Sequence, residues 1–256
     1  MEIQGAVVAP QAQHVSAQDS PKKVFVCDGI GFVELMECFG SDLTVVNAAR
    51  VSFHKESVLE EGVDEQGSPC AKLAERDAKL IKYLADHRHN SPFFHPQLRF
   101  RIKMPIFVAR EWWRSTIGFS RNEVSRRYIT EAPDFFMPDG LRQRDKNLKQ
   151  GSRQEFVEQN QALLEQMREH NQKALAFYQM LMDQGVAPEQ ARMSLPQSMY
   201  TEFIETASLA GYARVVRLRT DPLAQKEIQM FAHAAGELAQ TAFPVSWQAL
   251  MAAPIM

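Results

Sequence analysis

The sequence has few cysteines. Cys27, Cys38 and Cys70 are all there are, an odd number with no CxxC spacing. Neither a disulfide framework nor a cysteine-rich zinc site is expected, and a reducing, cytoplasmic setting is the default. No apolar run approaches the ~20 residues of a membrane span. The first residues lack the basic, apolar and cleavable regions of a secretory signal, so neither a membrane partner nor export is expected. Net charge is nearly absent: 29 Lys+Arg stand against 31 Asp+Glu, a balance of -2. That disfavours a protein that coats nucleic acid. There is no P-loop, GxGxxG or GxSxG, which removes the commonest nucleotide and hydrolase motifs. Internal repeats and low-complexity segments are missing too.

What remains is an ordinary globular mix, 45% hydrophobic and 23% charged over 256 residues. It is long enough to bury a proper core. Residues 1–21 are polar and Ala/Gln-rich and read as a flexible tail, leaving 22–256 as a single domain. Residues 24–26 look like a strand and Gly29-Ile30-Gly31 like a turn. Residues 42–52 read as a short helix capped by Asp42. Residues 60–69 read as a polar loop, and 72–87 as a helix with Ala74, Ala78, Ile81 and Ala85 at helical spacing.

Residues 97–104 alternate strictly. Leu98, Phe100, Ile102 and Met104 fall on one face and Arg99, Arg101 and Lys103 on the other, which predicts a half-buried strand. Pro105 opens a helix to about 114. The longest helical stretch is 151–184, with Phe156, Leu163, Leu164, Met167, Phe177 and Leu181 as its apolar face and Gly185 as its stop. Pro188 opens a short helix, broken by Pro196. Residues 200–217 read as helix again. Asp221-Pro222 reads as the cap and first turn of a last helix to 242. Helices dominate over a few strands, an α+β pattern.

Charge is unevenly spread. Residues 99–128 hold eight Lys/Arg against Glu111 and Glu123, so this segment is +6 and the remainder -8. Such concentration suits an anionic ligand, and arginine's planar fork suits phosphate. The mixture of hydroxyls, carboxylate, amide and guanidiniums in residues 120–128 (SRNEVSRRY) suits a nucleotide; an exposed basic strand or loop accounts for it equally well. Arg214 and Arg217 can share a helix face near Arg219, as a ligand site or as cations at a helix end. His87, His89 and His95 lack the i, i+3 or i, i+4 spacing of helical metal ligands, so no metal is expected. Trp112 and Trp113 are adjacent and cannot both face one pocket; one is expected in the core.

Six segments, in order, resemble the flavin-dependent thymidylate synthases, the ThyX family. They are 47–53 (NAARVSF), 89–95 (HNSPFFH), 100–110 (FRIKMPIFVAR), 120–128 (SRNEVSRRY), 191–196 (ARMSLP) and 218–225 (LRTDPLAQ). Together they span roughly residues 23–245. The resemblance implies a ThyX-like α/β (α+β) domain, with a small, mostly antiparallel sheet flanked by long helices. It implies a methyltransferase of dTMP biosynthesis that converts dUMP with methylenetetrahydrofolate as carbon donor, NADPH as reductant and FAD as hydride source. It also implies a homotetramer with sites shared between subunits.

Carried over by matching position, dUMP would meet Glu111, Trp112, Trp113, Arg114, Glu123, Val124, Ser125, Arg126, Arg127, Arg192 and Arg219. Arg219 would be catalytic, polarising the uracil ring so that C5 becomes nucleophilic. No cysteine lies in a matching segment, which disfavours the cysteine-nucleophile type of thymidylate synthase. FAD would meet Ser91, Arg114, Ser115, Thr116, Glu123, Ser208, Leu209, Ala210 and Arg214. Some positions depart from the family pattern. Ser115 and Thr116 replace a usual His and Arg, Glu111 a usual Gln, Glu205 a common aromatic and Ser208 a common Asn. Two alternatives follow: altered chemistry such as pyrimidine nucleotide hydroxymethylation, or a nucleotide-binding homologue without flavin.

Overall fold

The computed structural model describes residues 23–26, 28–63, 68–129, 131–145 and 151–253. The expected tail lies outside them. The strands are β1 (Lys23–Val26), β2 (Gly31–Phe39), β3 (Glu60–Val63), β4 (Pro69–Lys72), β5 (Gln97–Pro105), β6 (Phe119–Glu123) and β7 (Tyr200–Ser208). The helices are α1 (Asp42–Arg50), α2 (Glu75–Asp86), α3 (Ile106–Trp112), α4 (Asn160–Asp183), α5 (Pro188–Ala191), α6 (Leu209–Arg219), α7 (Lys226–Ala242) and α8 (Pro244–Ala252). Five strands form one antiparallel sheet in the order β1-β2-β5-β7-β6, and β3 and β4 make a separate hairpin. Among the described residues no helix is long and apolar enough to cross a membrane.

β5 follows its alternation. Leu98, Phe100, Ile102 and Met104 are fully buried, each contributing ~1.5–3 kcal/mol. Tyr212 of α6 meets Phe100 edge-on at 4.9 Å. α7 approaches β2 so closely that a Cβ on Gly31 would stand 2.9 Å from the Phe231 ring. On the outer face, Arg99, Arg101 and Lys103 pair with Glu37, Glu202 and Asp134. Three of the eight cations in the basic segment are therefore neutralised on the sheet's outer face, and an anionic ligand is not needed to explain them.

The largest correction concerns residues 200–217. The first nine form β7, between β5 and β6, and only Leu209 onward is helical. Thr201, Phe203, Glu205 and Ala207 are buried on one face, a period of two rather than 3.6. Ser208 ends the strand in extended geometry, and its hydroxyl accepts from Gly211 N at 3.2 Å, capping α6. Residues 31–39 form a strand that the pattern did not suggest, and the expected 60–69 loop contains the hairpin's β3 and the start of β4.

Asp42 does not cap its own helix. Ser41 is the α1 cap, and the Asp42 carboxylate instead accepts Val245 N at 3.0 Å and Ser246 N at 2.8 Å, capping α8. α4 begins at Asn160 rather than 151. It stops at Gly185 as expected: φ is +77°, and Gly185 N and Val186 N bond back to Met182 and Leu181 carbonyls. Of its expected apolar face only Leu164 is buried, while Phe177 is half exposed. Asp221-Pro222 makes a turn, with Leu223 N on Asp221 Oδ1 at 2.8 Å, and α7 starts later at Lys226.

Candidate active site

A cleft of about 1350 Å³ opens between the end of α3, the loop after it, one face of α6 and the start of α7. It exceeds the ~300–1,000 Å³ of ordinary small-molecule pockets. Ala210, Arg214 and Leu218 of α6 line it at a spacing of four, the one-face repeat of a helix. Ser208 stands at that helix's start and Arg219 at its end. α3 supplies Glu111 from its last turn, and the chain then runs along the rim as Arg114, Ser115, Thr116, Ile117 and Gly118. Of the residues expected at the nucleotide or the flavin, the structure brings Glu111, Arg114, Ser115, Thr116, Ser208, Ala210, Arg214 and Arg219 together around one cavity.

Arg219 is 8% exposed. Its Nη1 donates to Glu111 Oε1 and its Nη2 to the Glu111 carbonyl, both at 2.7 Å. Its Nε is buried without a hydrogen-bond partner. Burial pushes the guanidinium's pKa down, Glu111 opposes that, and the nearby Arg114 adds to it. Arginine starts so far above neutrality that the charge persists. Arg217, the third of that cluster, turns away to the carbonyls of Leu250 (3.1 Å) and Ala253 (2.6 Å). It closes the end of α8 and has no place in the cleft.

The Arg114 and Arg214 side chains line the cleft and make no hydrogen bond or ion pair among the described residues, while Gly211 lets the Phe119 ring and the Ser208 hydroxyl pack close against the start of α6. Two guanidiniums without partners among the described residues and a volume beyond that of a single small ligand fit an anionic dinucleotide such as FAD. The far wall was not foreseen. Arg142, Ser152 and Gln154 close it, with Arg142 held by Glu227 at 2.7 Å and Ser152 at 2.8 Å. No local pattern marks those residues, because their partners lie on α7 and across the loop.

Other expected residues lie elsewhere. Trp112 and Leu209 are fully buried. The Trp112 Nε1 donates to Glu205 Oε1 at 3.1 Å, so it is the core tryptophan of the pair. Trp113 is half-buried and edge-on to Phe203 at 5.4 Å. Ser91 is exposed, in a turn whose Asn90 and Phe94 line the cleft. Residues 123–127, from the last residue of β6 onward, form a basic knuckle. Glu123 accepts from Thr201 Oγ1 at 2.6 Å, Arg127 Nε reaches Ser125 Oγ at 3.3 Å, Arg126 bonds the Glu131 carbonyl, and Val124 N bonds the Glu202 carbonyl. Arg192 is exposed after α5, with Nε 3.4 Å from the Glu189 carbonyl. None of these five knuckle residues, nor Arg192, lines the cleft of its own chain. Among the described residues no cluster of His, Cys, Asp and Glu could hold a metal ion. His87 is structural, its Nδ1 2.9 Å from the Tyr83 carbonyl.

A family model described as thymidylate synthase complementing protein matches residues 34–245. A flavin-dependent thymidylate synthase of Thermus thermophilus is 38% identical over 219 residues, covering 86% of this chain and 75% of its own length. That of Kosmotoga olearia is 38% identical over 224 residues, covering 86% and 90%. Among solved structures, the UMP/dUMP methylase PolB of Streptomyces cacaoi, bound with 5-Br UMP, superposes with a TM-score of 0.73. It is 30% identical, with 87% of this chain and 94% of that one covered.

Proposed function

This chain belongs to the flavin-dependent thymidylate synthase family, and on that premise we propose that it converts dUMP to dTMP. Methylenetetrahydrofolate supplies the carbon and NADPH the reducing equivalents. The observation that carries this reading is the near-buried Arg219, braced by Glu111 on the wall of a cleft that also holds two unpaired guanidiniums.

Bound FAD, once reduced, supplies the hydride that completes the methyl group. Arg114 and Arg214 bind its anionic part, with Ser208 and Ala210 beside them, while Ser115 and Thr116 line the rim where the family more often has His and Arg. Arg219 donates toward the edge of the uracil ring and stabilises the enolate-like charge on its oxygen and nitrogen atoms, the polarised form in which C5 is nucleophilic. Neither Cys38 nor Cys70 lines the cleft, Cys27 lies outside the described residues, and the proposed reaction needs no thiolate at C6.

Ser125, Arg126, Arg127 and Arg192 hold the nucleotide phosphate of a neighbouring subunit's site, in a homotetramer. Support for this comes from their absence from the lining of their own cleft and from the exposed Phe177 and Met180 of α4. The enzyme works in the cytoplasm. The test offers dUMP and UMP separately to purified protein with methylenetetrahydrofolate and NADPH, and reads flavin absorbance and product mass. A methylated deoxynucleotide is expected. A hydroxymethylated product, or protein without flavin absorbance, would replace this reading with one of the two alternatives.

A further inference from the structure

Arg121 and Glu205 face each other across the β6–β7 ladder. Glu205 is fully buried, and every oxygen it has is used. Its Oε2 accepts from Arg121 Nε, its Oε1 from Trp112 Nε1, and its backbone carbonyl from Tyr212 OH at 3.2 Å. Arg121 has a second commitment. Its Nη2 donates to the Ser115 carbonyl at 2.6 Å, and its guanidinium lies 4.8 Å from the Phe119 ring centroid.

The recipient is the cleft's own rim. Ser115, Thr116, Ile117, Gly118 and Phe119 all line the cavity. The backbone bonds of this loop are local, Ser115 N to the Trp112 carbonyl and Phe119 N to that of Thr116. Ile117 is 81% exposed. An apolar pair at 121 and 205 would fill the same space, and buried ion pairs are weak stabilisers against such a replacement. An apolar pair cannot hold a donor in a fixed direction. The planar guanidinium, clamped at Nε by a buried carboxylate, aims Nη2 at Ser115.

We propose that the Arg121–Glu205 pair is a positioning device: it fixes the 115–119 rim of the cleft and thereby sets cofactor affinity without touching the cofactor. The cofactor part rests on the function proposed above; the positioning part does not.

The decisive variant is Arg121→Lys in the full-length protein. Lysine keeps the charge for Glu205 but loses the fork that also reaches Ser115. The expected result is a thermal midpoint close to the parent's, faster amide exchange at 115–119, and FAD affinity about tenfold weaker by fluorescence titration of flavin-stripped protein, the size of one lost charge-assisted bond. Arg121→Met with Glu205→Leu is the companion. It should fold as well as the parent and show the same loosened rim and weakened FAD binding. Parent-like exchange at 115–119 in either folded variant would overturn the proposal. A parent protein that takes up no FAD would remove the proposed function, while amide exchange would still decide the positioning role.

Discussion

Two arginine–glutamate pairs flank the cleft, and they show how setting changes the use of one chemistry. In Arg121–Glu205 the carboxylate is fully buried, and every contact goes to the protein itself. In Arg219–Glu111 the carboxylate side chain is 27% exposed and lines the cavity, and the arginine keeps an unpartnered Nε. The first pair is closed and can only hold structure in place. The second is open, so a ligand can compete for it. Burial acts on a different member in each: it pushes the Glu205 carboxyl up against the pull of Arg121, and the Arg219 guanidinium down.

If that contrast holds, cutting the closed pair should cost stability. Glu205→Ala leaves Arg121 Nε and Trp112 Nε1 without an acceptor, and a loss of ~3–5 kcal/mol is expected in urea unfolding. A change within error would show that water replaces the carboxylate and that the pair is not closed.

Cutting the open pair should cost chemistry. Arg219→Lys keeps the charge but not the fork, and turnover should fall on the order of a hundredfold, ~2.7 kcal/mol or more. Flavin reduction by NADPH should survive, because it needs no uracil activation. Stopped-flow absorbance separates the two steps, and normal turnover at saturating dUMP would return Arg219 to a helix-end role.

The basic knuckle supplies the third point of comparison. Arg127→Ala should weaken dUMP binding by ~1.5–3 kcal/mol, about one to two decades, and leave FAD affinity unchanged in calorimetric titration. Equal loss of both ligands would identify Arg127 as structural.

The smallest effect is one of pH. Glu205 faces Arg121, Trp112 and Tyr212, and its folded pKa lies above its ordinary value of 4.5. Between that value and the raised one, the folded chain binds the proton more tightly than the unfolded chain. Its contribution to stability therefore falls as pH rises through that window and levels off above it. Glu205→Gln should flatten this part of the curve in urea midpoints taken from about pH 4.5 upward. An unchanged slope would assign the titration to another group.

Much of the cleft was legible because its residues lie in short contiguous segments. Glu111, Arg114, Ser115 and Thr116 leave α3 together, and Ser208, Ala210 and Arg214 open α6 together. The far wall was not legible, since Arg142 is held at the cleft by Ser152 across the loop and by Glu227, 85 residues on. Residues 200–217 misled for a different reason. β7 and α6 are joined without a spacer, so two periods merge into one apolar stretch, and the only local mark of the break is Ser208, a residue type favoured at helix starts.

The sequence by itself determined what depends on neighbours along the chain. That covers the two faces of β5, the stop at Gly185 and the order of the six family segments. Tertiary structure decided what depends on partners far away: that Asp42 caps a helix 203 residues later, that Tyr200–Ser208 is a strand, and that Glu205 receives Arg121 from 84 residues before it. The physical reason is that periodicity and capping are written within a few residues. A buried hydrogen bond or ion pair is specified only once packing has removed water from both of its ends.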